Sequence, residues 1–267
     1  MKPLAEFAPE ARRAIRVVLA DIDDTITLHG KLPAASYAAL ERLRAAGFIV
    51  VPVTGRPAGW CDHIARMWPV DGVVGENGAF WFRYDALARK LRKRYIFGDE
   101  ERRLRRARLG AIAERVLAEV PGTAVASDQS YREADLAIDF CEDVPPLPLA
   151  QVRRIVAIME DEGLTAKASS IHVNGWFGGY DKLSSARLML REEFAIDLDA
   201  ERDAVVFAGD SPNDQPMFAF FPNAVGVANV AAMAEMMTSL PAWVTPSEGA
   251  LGFVELADAL LAARAAA

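Results

Sequence analysis

Cysteine is scarce in this chain: Cys61 and Cys141 are the only two. That is too few for a disulfide framework and gives no zinc-ligand spacing, so buried free thiols are expected. No apolar run approaches the ~20 residues that span a bilayer. The N-terminal MKPLAEFAPEARRAIR is charged where a secretory leader would be apolar. A soluble, cytoplasmic protein without a membrane partner is therefore expected. Positive charge is not in excess either: 30 Lys and Arg stand against 37 Asp and Glu, which argues against nucleic acid as a partner. The chain also has no convincing internal repeat or low-complexity tract.

What remains is 267 residues, 52% of them hydrophobic, enough to bury a substantial core and to form two domains. Apolar runs alternate with amphipathic stretches. A helix is expected over 33–46, with Tyr37, Leu40 and Leu43 on one face and Gly47 closing it. Strand 48–53, a helix near 58–68 and a strand at 72–75 follow. The rhythm returns at Lys182 with a helix, strand 204–208, a helix near 214–220 and short strands at 224–228 and 243–245. This is the βαβ succession of an α/β fold, a Rossmann-like doubly wound parallel sheet.

Between residues 84 and 178 the pattern changes to long helices, 100–119 and 148–162, mixed with short strands at 134–140 and 169–173. This stretch reads as an inserted α/β cap, leaving 1–83 and 179–267 to form the core. Residues 84–178 carry 15 basic and 15 acidic side chains, so the net charge of −7 falls on the core. The basic clusters Arg89 to Arg94 and Arg102 to Arg108 read as a solvated helix face.

Four short stretches bear on chemistry. The apolar run Val17–Ala20 drives into Asp21, Asp23 and Asp24. Strand alternation points Asp21 and Asp23 to one side and Asp24 to the other. Two like charges so close raise one pKa or take a cation, which suits a carboxylate nucleophile beside a proton-carrying carboxyl. The ordinary alternative is turn and cap chemistry. A calcium loop fails, because Ile26 stands where that pattern needs Gly and Leu32 where it needs Glu.

The second stretch ends a strand in Thr54-Gly55-Arg56, where a hydroxyl and a backbone N–H suit a phosphoryl oxygen and equally suit a turn. Arg56 fits an anionic substrate or a surface carboxylate. Lys182 opens a helix against the dipole, hinting at a nearby anion, although lysines are usually exposed. The last stretch repeats the first: strand 204–209 ends in Asp210, followed by Ser211-Pro212-Asn213-Asp214. Ser211 fits a helix N-cap, Pro212 the first helical position, and Asp214 either a capping box or metal work. Asp210 has no capping role, which leaves a hard cation such as magnesium as its natural partner.

Taken in order, these residues resemble the haloacid dehalogenase superfamily of phosphotransferases, more narrowly the type IIB members with a large α/β cap. The motifs DxDx[TV], [ST]GR, K and GDxxND stand here as Asp21 to Thr25, Thr54 to Arg56, Lys182, and Gly209 to Asp214. The resemblance implies Asp21 as nucleophile forming an aspartyl-phosphate, and Asp23 as general acid and then base. It implies Thr54 and Lys182 on the phosphoryl group. Mg²⁺ would be held by Asp21, the Asp23 carbonyl and Asp210, with Asp214 as ligand or support and Asn213 nearby. One departure is Asp24, where many relatives have Gly; a left-handed backbone there would matter.

The expectation is a Mg²⁺-dependent phosphatase for a small phosphorylated metabolite, a sugar phosphate or a phosphoglycerate-like acid, working as monomer or homodimer. A phosphomutase, or a metabolite-binding protein without catalysis, are the alternatives. Specificity is expected from the cap. Strand alternation over 169–174 turns Ile171 and Val173 inward and Ser170, His172 and Asn174 outward, toward sugar hydroxyls or toward solvent. Glu76-Asn77-Gly78 resembles the ENG turn of type IIB relatives and reads as mainly structural.

Overall fold

Residues 1–266 are described by a computed structural model. Six parallel strands form the main sheet, in the order Lys2–Pro3, Trp243–Val244, Ala224–Gly226, Val205–Gly209, Val17–Ala20 and Ile49–Pro52. The central strands are apolar without interruption because both faces are covered. Val18, Ala20, Val50, Val206 and Ala208 pack with Leu40, Leu43, Phe253 and Leu256 on one side. Val17, Leu19, Val51, Val205 and Phe207 pack with Met189, Leu190, Met217 and Phe218 on the other. Each fully buried side chain of this kind contributes roughly 1.5–3 kcal/mol by removal from water. The helices Ala34–Ala45 and Gly249–Ala265 supply the first cover, and Lys182–Phe194 and Gln215–Phe220 the second. This is the doubly wound α/β architecture expected.

A second sheet of four antiparallel strands runs in the order Ala124–Val125, Asp135–Asp139, His172–Trp176 and Thr165–Ala168. Helices Asp99–Glu119 and Leu149–Asp161 bury Leu109, Ile112, Val116, Val152 and Ile155 against Leu136, Ile138 and Val173. Alternation leaves Asp135, Asp139, His172 and Asn174 on the opposite face, all of them buried. That face is turned to the main domain: Asn174 lies close to Gly55, and Arg132 reaches its carbonyl.

Several local expectations need correction. Strand 169–173 does not exist as such; Ser169 to Ile171 form the turn between two strands, with Ser169 Oγ accepting from Ile171 N and His172 N. Ile171 is therefore half-buried rather than in the cap core, and Ser170 belongs to the turn. The strand Val73–Gly75 leaves the parallel sheet after a single bridge to Val53 and pairs antiparallel with Phe80–Asp85, which pairs with Lys90–Tyr95. The Arg89 to Arg94 cluster thus lies on a hairpin strand, not a helix face. That hairpin's Phe80 and Phe82 pack in the core beside the main sheet, with Tyr95, Ile96 and Phe97 against them. Tyr37 is exposed, its hydroxyl donating to Met67 O, while Leu40 and Leu43 are buried as expected. Cys61 is buried, Cys141 half-buried, and both are free. Among the described residues no helix is long and apolar enough to cross a membrane.

Candidate active site

Both acid-bearing strands end at one sheet edge because they are neighbours in register, Ala20 opposite Ala208, with Asp21 N donating to Ala208 O. Asp21 follows Ala20 directly, Asp210 follows Ala208 after Gly209, and both are buried. After Asp21 the chain does not continue as a strand. Ile22–Ile26 wind into a single wide helical turn in which Asp24 takes a left-handed conformation, φ 53°. That is the position where Gly was expected, and Asp tolerates such a backbone better than most side chains. The turn, not strand alternation, brings Asp23 back beside Asp21, so that both line one small cavity with Gly55, Arg56 and Asn213.

Lys182 occupies the first position of helix Lys182–Phe194 and is fully buried, contrary to the ordinary expectation for lysine. Its Nζ donates to Asp21 Oδ1 and to Asp214 Oδ1, both at 2.7 Å. Burial opposes its charge, but Asp21 and Asp214 outweigh that and hold its pKa above the usual lysine range. Asp214 also closes the capping box with Ser211, its Oδ2 accepting from Asp210 N and Ser211 N. The capping role and the contact with Lys182 coexist on different oxygens of one carboxylate.

Three buried carboxylates face one ammonium, a surplus of negative charge. One oxygen from each of Asp21, Asp210 and Asp214 lies within 4.8 Å of the others. Burial first, then Asp214 and Asp23, push the Asp21 carboxyl up to about 7 against the pull of Lys182. Burial, Asp21 and Asp214 likewise push Asp210 well above the carboxylate range. Thr25 Oγ1 and Asn229 Nδ2 donate to Asp210, fixing its orientation. All-oxygen donors carrying excess charge fit a hard divalent cation.

Arg56 is where sequence reading was least decisive. It is buried, and its guanidinium donates to both carboxylate oxygens of Asp23 at 2.9 and 3.0 Å. The same fork reaches Glu142 Oε1 at 2.7 Å and Asp128 Oδ2 at 3.4 Å in the cap. Glu142 in turn lies 2.9 Å from His172 Nε2. Burial alone would raise Glu142, but His172 and Arg56 bring it down to about 2. Arg132, fully buried, binds Asp128 and Asp135 and donates to Gly55 O, while Asn174 donates to Asp135.

His172 and Asn174 line the cavity, each already beside a cap acid, Glu142 and Asp135 respectively. Ser170 does not line the cavity; Ser169 and Ile171 do. The Thr54 hydroxyl is buried and accepts from Arg56 N, shaping the turn that presents Gly55. Asn213 donates to Asn77 Oδ1, and Asn77 Nδ2 is left buried without a partner beside Gly55.

Residues missed from sequence are Glu142, Asp128, Arg132, Asp135 and Asn229, which carry no local signal. Glu76 had one in its ENG context. It is more than a turn residue: its buried carboxylate accepts from Ala58 N, Glu133 N, Ala134 N and Asp135 N.

The haloacid dehalogenase-like hydrolase family matches residues 18–102. In sequence, no curated protein matches the chain. Among solved structures, the C-terminal domain of trehalose-6-phosphate phosphatase from C. albicans superposes with a TM-score of 0.72 at 13% identity, covering 98% of both chains. A Thermoplasma acidophilum protein gives 0.66 at 17% identity over 92% of this chain and 98% of its own. A HAD subclass IIB sugar phosphatase gives 0.56 at 15% identity over 87% and 94%. Residues 18–102 thus resemble the haloacid dehalogenase-like hydrolases in sequence, and nearly the whole chain shares its fold with these solved structures.

Proposed function

We propose that this chain is a Mg²⁺-dependent phosphatase that hydrolyses a small phosphorylated metabolite through an aspartyl-phosphate on Asp21. The observation that carries the reading is the buried cluster of Asp21, Lys182, Asp210 and Asp214, with Asp23 lining the same cavity under the Arg56 fork. Asp21, Asp210 and the Asp23 carbonyl would hold magnesium, with Asp214 as further ligand or support. When bound, that ion supplies charge neutralisation at the phosphoryl oxygens.

Asp21 attacks phosphorus, and Lys182, 2.7 Å from its carboxylate, is placed to stabilise negative charge on the phosphoryl oxygens. The Asp23 carboxyl gives its proton to the leaving oxygen and takes one from the water that cleaves the acyl phosphate. Arg56 Nε donates to both oxygens of the Asp23 carboxylate and so holds that group in a defined orientation. The cap face formed by Ser169, Ile171, His172 and Asn174 covers the cavity and excludes bulk water.

The names of similar structures, trehalose-6-phosphate phosphatase and sugar phosphatase, support a phosphomonoester as substrate. Phosphorylated sugars and phosphoglycerate-like acids are the first to assay. The test is phosphate release from a panel of monoesters with Mg²⁺ and without any bisphosphate activator, which also separates hydrolysis from mutase action. Asp21→Ala must abolish release while circular dichroism stays native. Substantial residual turnover by that variant would remove Asp21 as nucleophile.

A further inference from the structure

With the cap seated, the cavity at Asp21 has a volume of about 10 Å³, room for roughly one water. No leaving group larger than a few atoms fits there. A second cavity of about 530 Å³ shares Asp23 and Arg56 with it and opens on the Asp23 side, where the leaving oxygen must lie if Asp23 protonates it. Its walls are Ile22, Leu32, Ile64, Trp60, Trp68 and Tyr131.

Three features mark it as built. Trp60 and Tyr131 are 43% and 59% exposed, large rings left half in water on the core and cap sides. The Arg56 guanidinium stacks over the Trp60 ring at 4.4 Å, so the group that grips Asp23 also orients this wall. Gly59 has no side chain because a Cβ there would stand 3.0 Å from Tyr131 Cβ, so its absence lets the cap residue seat on the core helix.

The polar lining is sparse: beside the exposed His63 and the outer edges of Trp60, Trp68 and Tyr131 it consists of Thr27, Asp23 and Arg56, which are already engaged. Thr27 Oγ1 donates to Ile22 O and accepts from Asp24 N, and Arg56 and Asp23 are engaged with each other. A sugar placed here would meet mostly ring faces and aliphatic walls and find few protein partners for its hydroxyls. An aromatic or aliphatic body would instead cover Trp60 and Tyr131.

We propose that this cavity is the leaving-group subsite and that it takes a phosphomonoester of a hydroxyl-poor, aromatic or aliphatic alcohol. This rests on the phosphatase reading above. An Asp21 oxygen bonds to phosphorus as the P–O bond to the alcohol breaks, and the Asp23 proton goes to the departing oxygen. Water then splits the acyl phosphate, returning a proton to Asp23 and releasing inorganic phosphate.

The experiment compares kcat/KM for benzyl phosphate, glucose 6-phosphate and acetyl phosphate with Mg²⁺, in the full-length protein and in Trp60→Ala and Tyr131→Ala. Acetyl phosphate is too short to reach Trp60. Benzyl phosphate should exceed glucose 6-phosphate at least ~10-fold, the scale of one aromatic contact. In each variant the benzyl-to-acetyl ratio should fall several-fold, mainly through KM. Turnover that favours glucose 6-phosphate, or a ratio that neither variant moves, overturns the subsite assignment and leaves the phosphatase reading standing. No phosphate above the uncatalysed rate from any of the three compounds, the acyl phosphate included, overturns both.

Discussion

At the scale of single residues, the Asp21 site concentrates like charge where a solvent-shielded core tolerates it least. Asp21, Asp210 and Asp214 share one lysine, and the Asp21 carboxyl is pushed up to about 7 by burial and by its acidic neighbours. Stability and activity should therefore separate on mutation. Asp21→Asn keeps the shape and removes one of the competing charges. Metal-free Asp21→Asn is expected to melt at least ~2 °C above wild type in calorimetry while releasing no phosphate. A variant that melts lower would show that the Lys182 contact outweighs the repulsion. Arg56 gives a second test, because its planar fork meets Asp23, Glu142 and Asp128 at once. Lysine offers a single point charge and cannot reproduce that geometry. Arg56→Lys is expected to lower kcat by a factor within the ~10²–10⁴ that general acid–base catalysis supplies, and unchanged kcat would remove Arg56 as a positioning residue.

At the scale of elements, legibility followed the range of the forces involved. Strands Val17–Ala20 and Val205–Gly209 were readable because both of their faces are buried, which writes an unbroken apolar run into the sequence. The order of motifs then placed Asp21, Lys182, Asp210 and Asp214 together before any coordinates. The hairpin Phe80–Asp85 and Lys90–Tyr95 was not readable, since its second strand is mostly exposed and charged. Glu142, Asp128 and Arg132, and the contacts that Arg56 makes with the cap, were beyond reach for a different reason. Their roles arise from contacts up to 86 positions apart in the chain, as between Arg56 and Glu142, and no local pattern encodes such pairs.

Glu76 shows the same limit in a short turn. The ENG tripeptide marks a bend, and the bend's purpose is to bring a buried carboxylate to the backbone of residues 133–135. Burial, then Asp135, raises the Glu76 carboxyl to about 8 against Arg132 and the N–H donors of Glu133 and Ala58. The folded protein thus keeps a proton that the unfolded chain releases above the ordinary 4.5. That stabilisation is complete below 4.5 and is lost as pH climbs through about 8. Wild type is expected to lose melting temperature between pH ~5 and ~8 more steeply than Glu76→Gln, which carries no such proton. Parallel slopes in calorimetry would place the pH dependence elsewhere.

On the scale of the whole molecule, the four-stranded sheet joins the main sheet through buried charge as well as through the packing of Trp176, Ile96 and Phe97 on the main core. Arg132 joins Asp128 and Asp135 in the cap to Gly55 O in the core, and Arg56 joins Asp23 in the core to Glu142 in the cap. Such pairs hold a geometry more than they add net stability, yet breaking one strands its partners. Arg132→Met leaves Asp135 with Asn174 as its remaining side-chain donor and Asp128 with Arg56. It is expected to cost about 3–5 kcal/mol, read as a shift in urea midpoint at constant slope. A cation held by Asp21, Asp210 and Asp214 would act in the opposite direction. A cation that binds the folded cluster and not the unfolded chain contributes about 2.7 kcal/mol at a hundred times its dissociation constant. For a chain of this size that is a rise of roughly 5–10 °C. Because the ion would replace Asp21–Asp214 repulsion with attraction, the rise should be larger in wild type than in Asp21→Asn. Titrating Mg²⁺ into both proteins during thermal melts decides it: equal shifts would mean the cation binds without Asp21, and the nucleophile would then lie outside the metal's reach.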